Sequence, residues 1–196
     1  MKQGLIVYLV GSEPLPEALN LEDAGRALAE MAGSSLETWL EQAGRRDFEP
    51  IELPVESNAP VVLADASDER FGVDALRVPH GPVPALAFRL RLGDATVVFA
   101  SDQNGGNPAF VDFARDAELL VMHMPIPPEA DEVARKLHAT PRRIGEIAQA
   151  AGAKALLLSH FMARSLANLD ENVGIVRAHY GGSVIVAEDL ACVPLG

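Results

Sequence analysis

Two apolar stretches joined at Gly93-Asp94 constrain the fold more than any other feature of the chain. LAFRLRL (86–92) has a period of two, with Leu86, Phe88, Leu90 and Leu92 on one face and Arg89 and Arg91 on the other. ATVVFAS follows after a two-residue turn, so the pair reads as an antiparallel hairpin with a half-exposed first strand. Beyond it the chain alternates between strand and helix signals. Asn107 can cap a helix with Pro108 at its first position, AFVDFARDA, which leads into strand ELLVMHM. After a Pro-rich turn, Thr140-Pro141 repeats that start for helix RRIGEIAQAA, which stops at Gly152. Strand KALLLSHF, a helix over 172–180, a Gly181-Gly182 stop and strand SVIVAED complete the series. A hairpin followed by strand–helix units implies an α/β fold built on a mixed sheet, since a purely parallel doubly wound sheet would not need the hairpin.

Residues 1–70 differ in character, being acidic, rich in Pro and Gly, and weakly patterned. GLIVYLV (4–10) reads as a strand, 21–31 and 36–42 as short helices, the second capped by Ser34 or Ser35, and 65–70 as an exposed turn. With no internal repeat and no linker, residues 1–196 are expected to form a single domain, divergent over 1–70 and motif-bearing over 71–190. GLIVYLVG is short for a signal segment, has one lysine before it and no small-x-small cleavage site after it. No apolar run approaches the roughly 20 residues that cross a bilayer. A cytoplasmic location is the default expectation, with no membrane partner.

Charge narrows the partners. A formal net charge of −12 argues against a surface that tracks nucleic acid by neutralising phosphates, which needs clustered Lys and Arg. Cys192 is the single cysteine, so neither an intrachain disulfide nor a multi-cysteine zinc site can form. In the apolar tail LACVPL it is expected to be a buried structural thiol.

Three metal-competent side chains stand at strand ends: His80 in VPHGP, Asp102 in FASDQNGG and His160 in LLLSHF. Chemistry in α/β folds gathers beyond strand ends, where a rigid sheet positions groups and loops admit substrate. Each has a plain structural alternative. Asp102 could cap its own turn, His160 could be a core histidine bonded to a carbonyl, and His80 could be a turn residue between prolines. Together they point to metal-assisted hydrolysis.

At these residues the chain resembles the metallo-β-lactamase superfamily, in its ribonuclease Z-like branch, from about 71 to 189. HGPVPALAFR resembles the motif that supplies a ligand histidine, here His80. VVFASDQNGG resembles the strand ending in an aspartate that bridges two metals, here Asp102, and LLLSHF resembles the last ligand motif, here His160. LHATPRRIGEIAQAAGAKALLLSHF matches the H-A-T histidine, helix and S-H-F in order, with His138 as the H-A-T histidine. The resemblance implies an αββα sandwich and a two-zinc site in which bound hydroxide attacks a phosphodiester or ester-type substrate. It also implies that His138, outside the metal shell, stabilises charge or donates a proton to the leaving group. Phosphodiesters rank ahead of lactones, thioesters and sulfate esters because of the H-A-T motif. His138 otherwise reads as a residue beside the Thr140 cap.

The departures from that pattern are equally specific. The signature H-x-H-x-D-H, which supplies most ligands, is absent from these 196 residues. His123 stands about where the branch carries a glutamate that pairs with the H-A-T histidine, and otherwise reads as a buried strand histidine. His179, near the end of the last helix, reads as structural. Three protein ligands plus water make a catalytic zinc site. His80, Asp102 and His160 therefore suffice for at most one weakly held ion, and the hydrolase is expected to be impaired as written. A fold lacking the N-terminal part of the sandwich would expose an apolar sheet face, so self-association or docking of a missing N-terminal segment is expected. The alternative to a hydrolase is a non-catalytic remnant of the fold acting in binding or assembly. A plain Rossmann-like binding domain is disfavoured because no G-x-G-x-x-G follows its first strand.

Overall fold

The computed structural model describes residues 59–64, 71–189 and 191–195. The strand expected at 4–10, the helices at 21–31 and 36–42 and the turn at 65–70 lie outside the described residues. The described residues carry one seven-stranded sheet in the order β1-β2-β3-β4-β5-β6-β7. Its strands are β1 (Val61–Ala64), β2 (Phe71–His80), β3 (Val83–Leu92), β4 (Ala95–Phe99), β5 (Leu119–His123), β6 (Ala155–Ser159) and β7 (Ser183–Val186). Pairing is antiparallel from β1 to β4 and parallel from β4 to β7. This is the mixed α/β architecture that the hairpin and the strand–helix alternation require.

Gly93-Asp94 turns the chain between Leu92 and Ala95, which face each other across the β3–β4 hairpin. A second hairpin precedes it. His80 pairs with Val83, so Gly81 and Pro82 form a two-residue turn, and Pro79 faces Pro84. β2 therefore runs antiparallel to β3, as β4 does, and β2 and β4 point the same way. With β5, β6 and β7 parallel to β4, five strand ends fall on one edge of the sheet, those of β2, β4, β5 and β6 among them.

Among the described residues five helices connect and cover the strands: α1 (Ala109–Phe113), α2 (Glu132–Leu137), α3 (Pro141–Ala151), α4 (Ala163–Leu166) and α5 (Leu169–His179). α3 begins as its sequence dictates, with Thr140 accepting from the Arg143 N–H and Pro141 in the first turn, and ends at Gly152 with φ 65°. Its apolar stripe of Ile144, Ile147, Ala148 and Ala151 is buried against Leu120, Met122, Leu156 and Leu158 of the sheet. α5 crosses α3 where Gly145 leaves room. A Cβ there would lie 2.7 Å from the Val176 carbonyl oxygen, so any larger residue would force the helices apart.

α1 is shorter than AFVDFARDA suggests. After Phe113 the hydrogen bonds tighten to Arg115 N–H on the Asp112 carbonyl, and Asp116 turns left-handed at φ 54°. α5 starts at Leu169, before the expected 172, because Asn172 is buried inside it and donates to the Ser165 carbonyl. α2 and α4 carry too few residues to show a helical period. α2 is set by Asp131, whose side chain accepts from the Ala134 N–H.

The hairpin's inner face is the reverse of that expected from its leucines. Ala85 and Ala87 of β3 face the helix-covered core with Leu76 and Val78, while Leu86, Phe88 and Leu90 are half-buried on the other side. Arg89 and Arg91 share the Ala87 face. Both pair with buried Asp74, Arg89 at 2.8 Å, and the Arg89 guanidinium lies 4.8 Å from the centre of the Phe113 ring. Small alanines make room under the helices, and Asp74 neutralises the arginines that this room admits. Cys192 is exposed, contrary to the buried thiol expected, because its tail leaves the sheet after β7 and is held through its neighbour Val193.

Replacing Asp74 by Ala strips two guanidinium groups of their partner and is expected to destabilise the fold by about 2–3 kcal/mol, because the arginines keep partial access to water. Urea unfolding should show this shift for D74A, while D94A, at an exposed turn, stays within about 0.5 kcal/mol of the parent.

Candidate metal centre

The shared sheet edge gathers four of the chain's five histidines, three of them around Asp102. His80 is the last residue of β2 and His123 the last of β5. Asp102 lies three residues beyond β4, and His160 directly follows β6. His138 caps the C-terminus of α2, two residues before the Thr140 cap of α3.

The backbone is bent to bring these groups inward. Ser101 and His160 are non-glycine residues held left-handed, at φ 55° and 54°. Each such conformation costs on the order of 1–3 kcal/mol and persists where the surroundings over-determine it. Here it turns the chain sharply at the exits of β4 and β6. The loop after Asp102 is tied on both sides. Asn104 donates through its backbone N–H to the Pro79 carbonyl and through Nδ2 to the Lys136 carbonyl, while the Ala139 N–H donates to the Gln103 carbonyl. Gly105, at φ 75°, packs where a Cβ would lie 2.8 Å from Ile147 Cδ1, so the loop closes onto α3 only with glycine there. The tip of β2, the Asp102 loop and the α2–α3 corner thus form one hydrogen-bonded unit.

His123 Nδ1 donates to Asp102 Oδ1 at 2.8 Å. His160 Nε2 lies 3.5 Å and His138 Nδ1 3.4 Å from the same oxygen. Asp102, His123 and His160 present ligand atoms that all lie within 4.8 Å of one another. His138 is buried, and its Nδ1 makes no hydrogen bond among the described residues despite lying 3.4 Å from this carboxylate. Its ring centre stands 4.8 Å from that of His80 and 6.3 Å from that of His160. His80 Nδ1 is 2.8 Å from the Leu137 carbonyl oxygen, which can only accept. The Nδ1 of His80 therefore carries the proton, and in the neutral ring Nε2 keeps the lone pair.

The sequence-derived residues divide accordingly. Asp102 and His160 meet, His138 stands beside them, and His80 abuts His138 rather than the Asp102–His123–His160 group. In the sequence His123 stands about where the resembling branch carries a glutamate, and otherwise reads as a buried strand histidine. Its signal lay in its place at the end of β5, next in the sheet to the strand that leads to Asp102. His179 is remote from the cluster by its contacts, donating Nδ1–H to the Ile175 carbonyl within α5.

Electrostatics fix the charge pattern. Burial pushes the Asp102 carboxyl up, but the His123 hydrogen bond and the charges of His123, His160 and His138 outweigh it and hold it below its ordinary 3.8. His138 is pushed below its ordinary 6.5, first by burial and then by His80, His160 and Arg164, against the pull of Asp102. At neutral pH the site holds an anionic carboxylate and a neutral His138. The donor set suits one divalent ion of borderline softness, with an acid oxygen and imidazole nitrogens. Among the described residues Asp102, His123 and His160 are the one group of this kind.

No family model matches the chain. A curated ribonuclease Z from Haloarcula marismortui is 35% identical over 80 residues, which are 40% of this chain and 26% of that protein. The crystal structure of the metallo-β-lactamase fold protein YhfI from Bacillus subtilis superposes with a TM-score of 0.57 at 24% identity, over 78% of this chain and 58% of that one. Human tRNase Z, short form, superposes with a TM-score of 0.54 at 24% identity, over 69% of this chain and 46% of that one. The chain thus spans about a quarter of the curated relative's length and about half of each of these solved structures. The chain has the metallo-β-lactamase fold, and over 80 residues its sequence is similar to that ribonuclease Z.

The two pKa directions set the acid response. A histidine held below its ordinary value contributes stability that is present above about 6.5 and is lost as pH falls through the folded value. Asp102 contributes stability that is present above 3.8 and is lost below it. Metal-free protein should therefore melt at lower temperature at pH 5.5 than at pH 7.5, and H138Q should shrink that difference. An equal difference in the variant would show that His138 is not held neutral.

Proposed function

We propose that this chain is a metal-dependent hydrolase domain in which activated water attacks a phosphodiester or ester-type centre. The observation that carries the reading is the Asp102 carboxylate facing three imidazoles at one sheet edge, an arrangement that packing alone does not require. A divalent ion such as zinc, bound beside Asp102, would serve as a Lewis acid and bring the pKa of a coordinated water toward 7.

The chain's own residues prepare the site for that chemistry. Asp102 stays ionised and supplies the acid oxygen. His138, buried and neutral, offers an N–H donor to charge developing on the transferring group or the leaving oxygen. The hydrogen-bonded unit of β2 tip, Asp102 loop and α2–α3 corner holds these groups in place, so little reorganisation is needed when substrate arrives. The formal charge of −12 favours a small ester or phosphodiester over an extended nucleic acid.

A second reading, a non-catalytic remnant acting in binding or assembly, is favoured by one observation: H-x-H-x-D-H does not occur in the 196 residues. The same absence is the reason to expect slow turnover rather than none.

A panel of activated phosphodiesters, phosphonates and carboxylic esters, assayed with added zinc or manganese, distinguishes the two. The hydrolase reading expects metal-stimulated turnover that chelator removes, that D102N abolishes, and that H138Q lowers by about 10²–10³ in kcat with little change in KM. Turnover indifferent to chelator and to D102N, or none on any substrate class, would leave the remnant reading.

A further inference from the structure

We infer that the chain holds one divalent ion through Asp102, His123 and His160, with His123 taking the ligand place that the sequence pattern assigns to His80. The inference rests on the metal dependence in the reading above but not on hydrolysis.

Geometry decides between the two histidines. In a tetrahedral zinc shell with bonds of about 2.0–2.2 Å, ligand atoms stand roughly 3.4 Å apart. His160 Nε2 is already 3.5 Å from Asp102 Oδ1. His123 Nδ1 is 2.8 Å away, drawn in by the hydrogen bond that an ion would replace. The span of the three ligand atoms, within 4.8 Å, closes with side-chain adjustments of about an ångström. The rings of His123 and His160 already lie side by side, 4.7 Å between centres. Both stand at the exits of adjacent parallel strands, with His123 directly opposite Ser159 in the ladder.

His80 lacks these relations. Its near neighbours are the Leu137 carbonyl and the His138 ring, and of the two histidines it is His138 that approaches the carboxylate, at 3.4 Å. The buried His138 Nδ1, 3.4 Å from Asp102 Oδ1 and without a hydrogen bond, is a further polar atom beside the carboxylate. A filled site would leave the centre mononuclear, with its remaining position open to water or substrate.

The test uses the 196-residue chain with zinc and with cobalt(II) as the probe ions. Equilibrium dialysis with elemental analysis should give one zinc per chain, and H123Q and H160Q should each weaken zinc binding at least 100-fold, against less than 10-fold for H80Q. A residue that only orients Asp102 could also lower affinity, so the identity of the ligand is read spectroscopically. Cobalt(II)-loaded H123C should gain a thiolate-to-cobalt charge-transfer band in the near ultraviolet, and H80C should not. Circular dichroism melts of each variant check that it is folded, and H160C supplies a second ligand position with the same readout.

The band in H80C but not in folded H123C, or two tightly held zinc ions per chain, would overturn this inference and leave the hydrolase reading standing. Absence of any zinc or cobalt binding by the parent chain would overturn both.

Discussion

A single carboxylate oxygen organises the candidate centre. Asp102 Oδ1 accepts from His123 and faces His138 and His160 within 3.5 Å. A carboxylate in a half-buried place must be compensated, because burial disfavours its charge. Three imidazoles supply that compensation here, and they are also the ligands that a borderline-soft ion prefers. The interaction that keeps Asp102 ionised in the metal-free protein is thus the one that readies it for a cation.

Topology supplies the rest. Because β2 and β4 both run antiparallel to β3, the β2 end joins those of the parallel strands β4 to β7 on the same edge. Residues distant in sequence then become neighbours without any long loop. The left-handed turns at Ser101 and His160 aim two of them, and the Asp102 loop is pinned to β2 and α2 by backbone bonds. Strain at the site is offset by the core beneath it, where Leu120, Met122, Leu156 and Leu158 are sealed under α3.

Much of this was legible in the sequence because its signals are local. Gly93-Asp94, Thr140-Pro141 and Gly152 each act within a few residues, and the structure uses all three as turn, cap and stop. Asp102 and His160 were visible because they end strands with strong apolar patterns. What escaped depends on distance. The arginine face of β3 was read as solvent-facing, since nothing nearby in sequence announces that Asp74 lies opposite Arg89. α2 and α4 are shorter than two helical turns and carry no period. His123 looked like a core residue because it ends an apolar strand, and its role depends on a carboxylate from the neighbouring strand's loop. The tail around Cys192 is apolar in composition, but it is the neighbouring Val193 that packs on the sheet, which leaves the thiol exposed.

The central claim is spatial: the strand ends of this fold make one ion-binding point at Asp102. Anomalous diffraction at the zinc absorption edge, from crystals of the chain grown with zinc, measures it directly. The account predicts one peak, about 2.0–2.2 Å from an Asp102 oxygen, His123 Nδ1 and His160 Nε2. A peak bound instead by His80, a pair of peaks bridged by Asp102, or no peak at this edge of the sheet would contradict it.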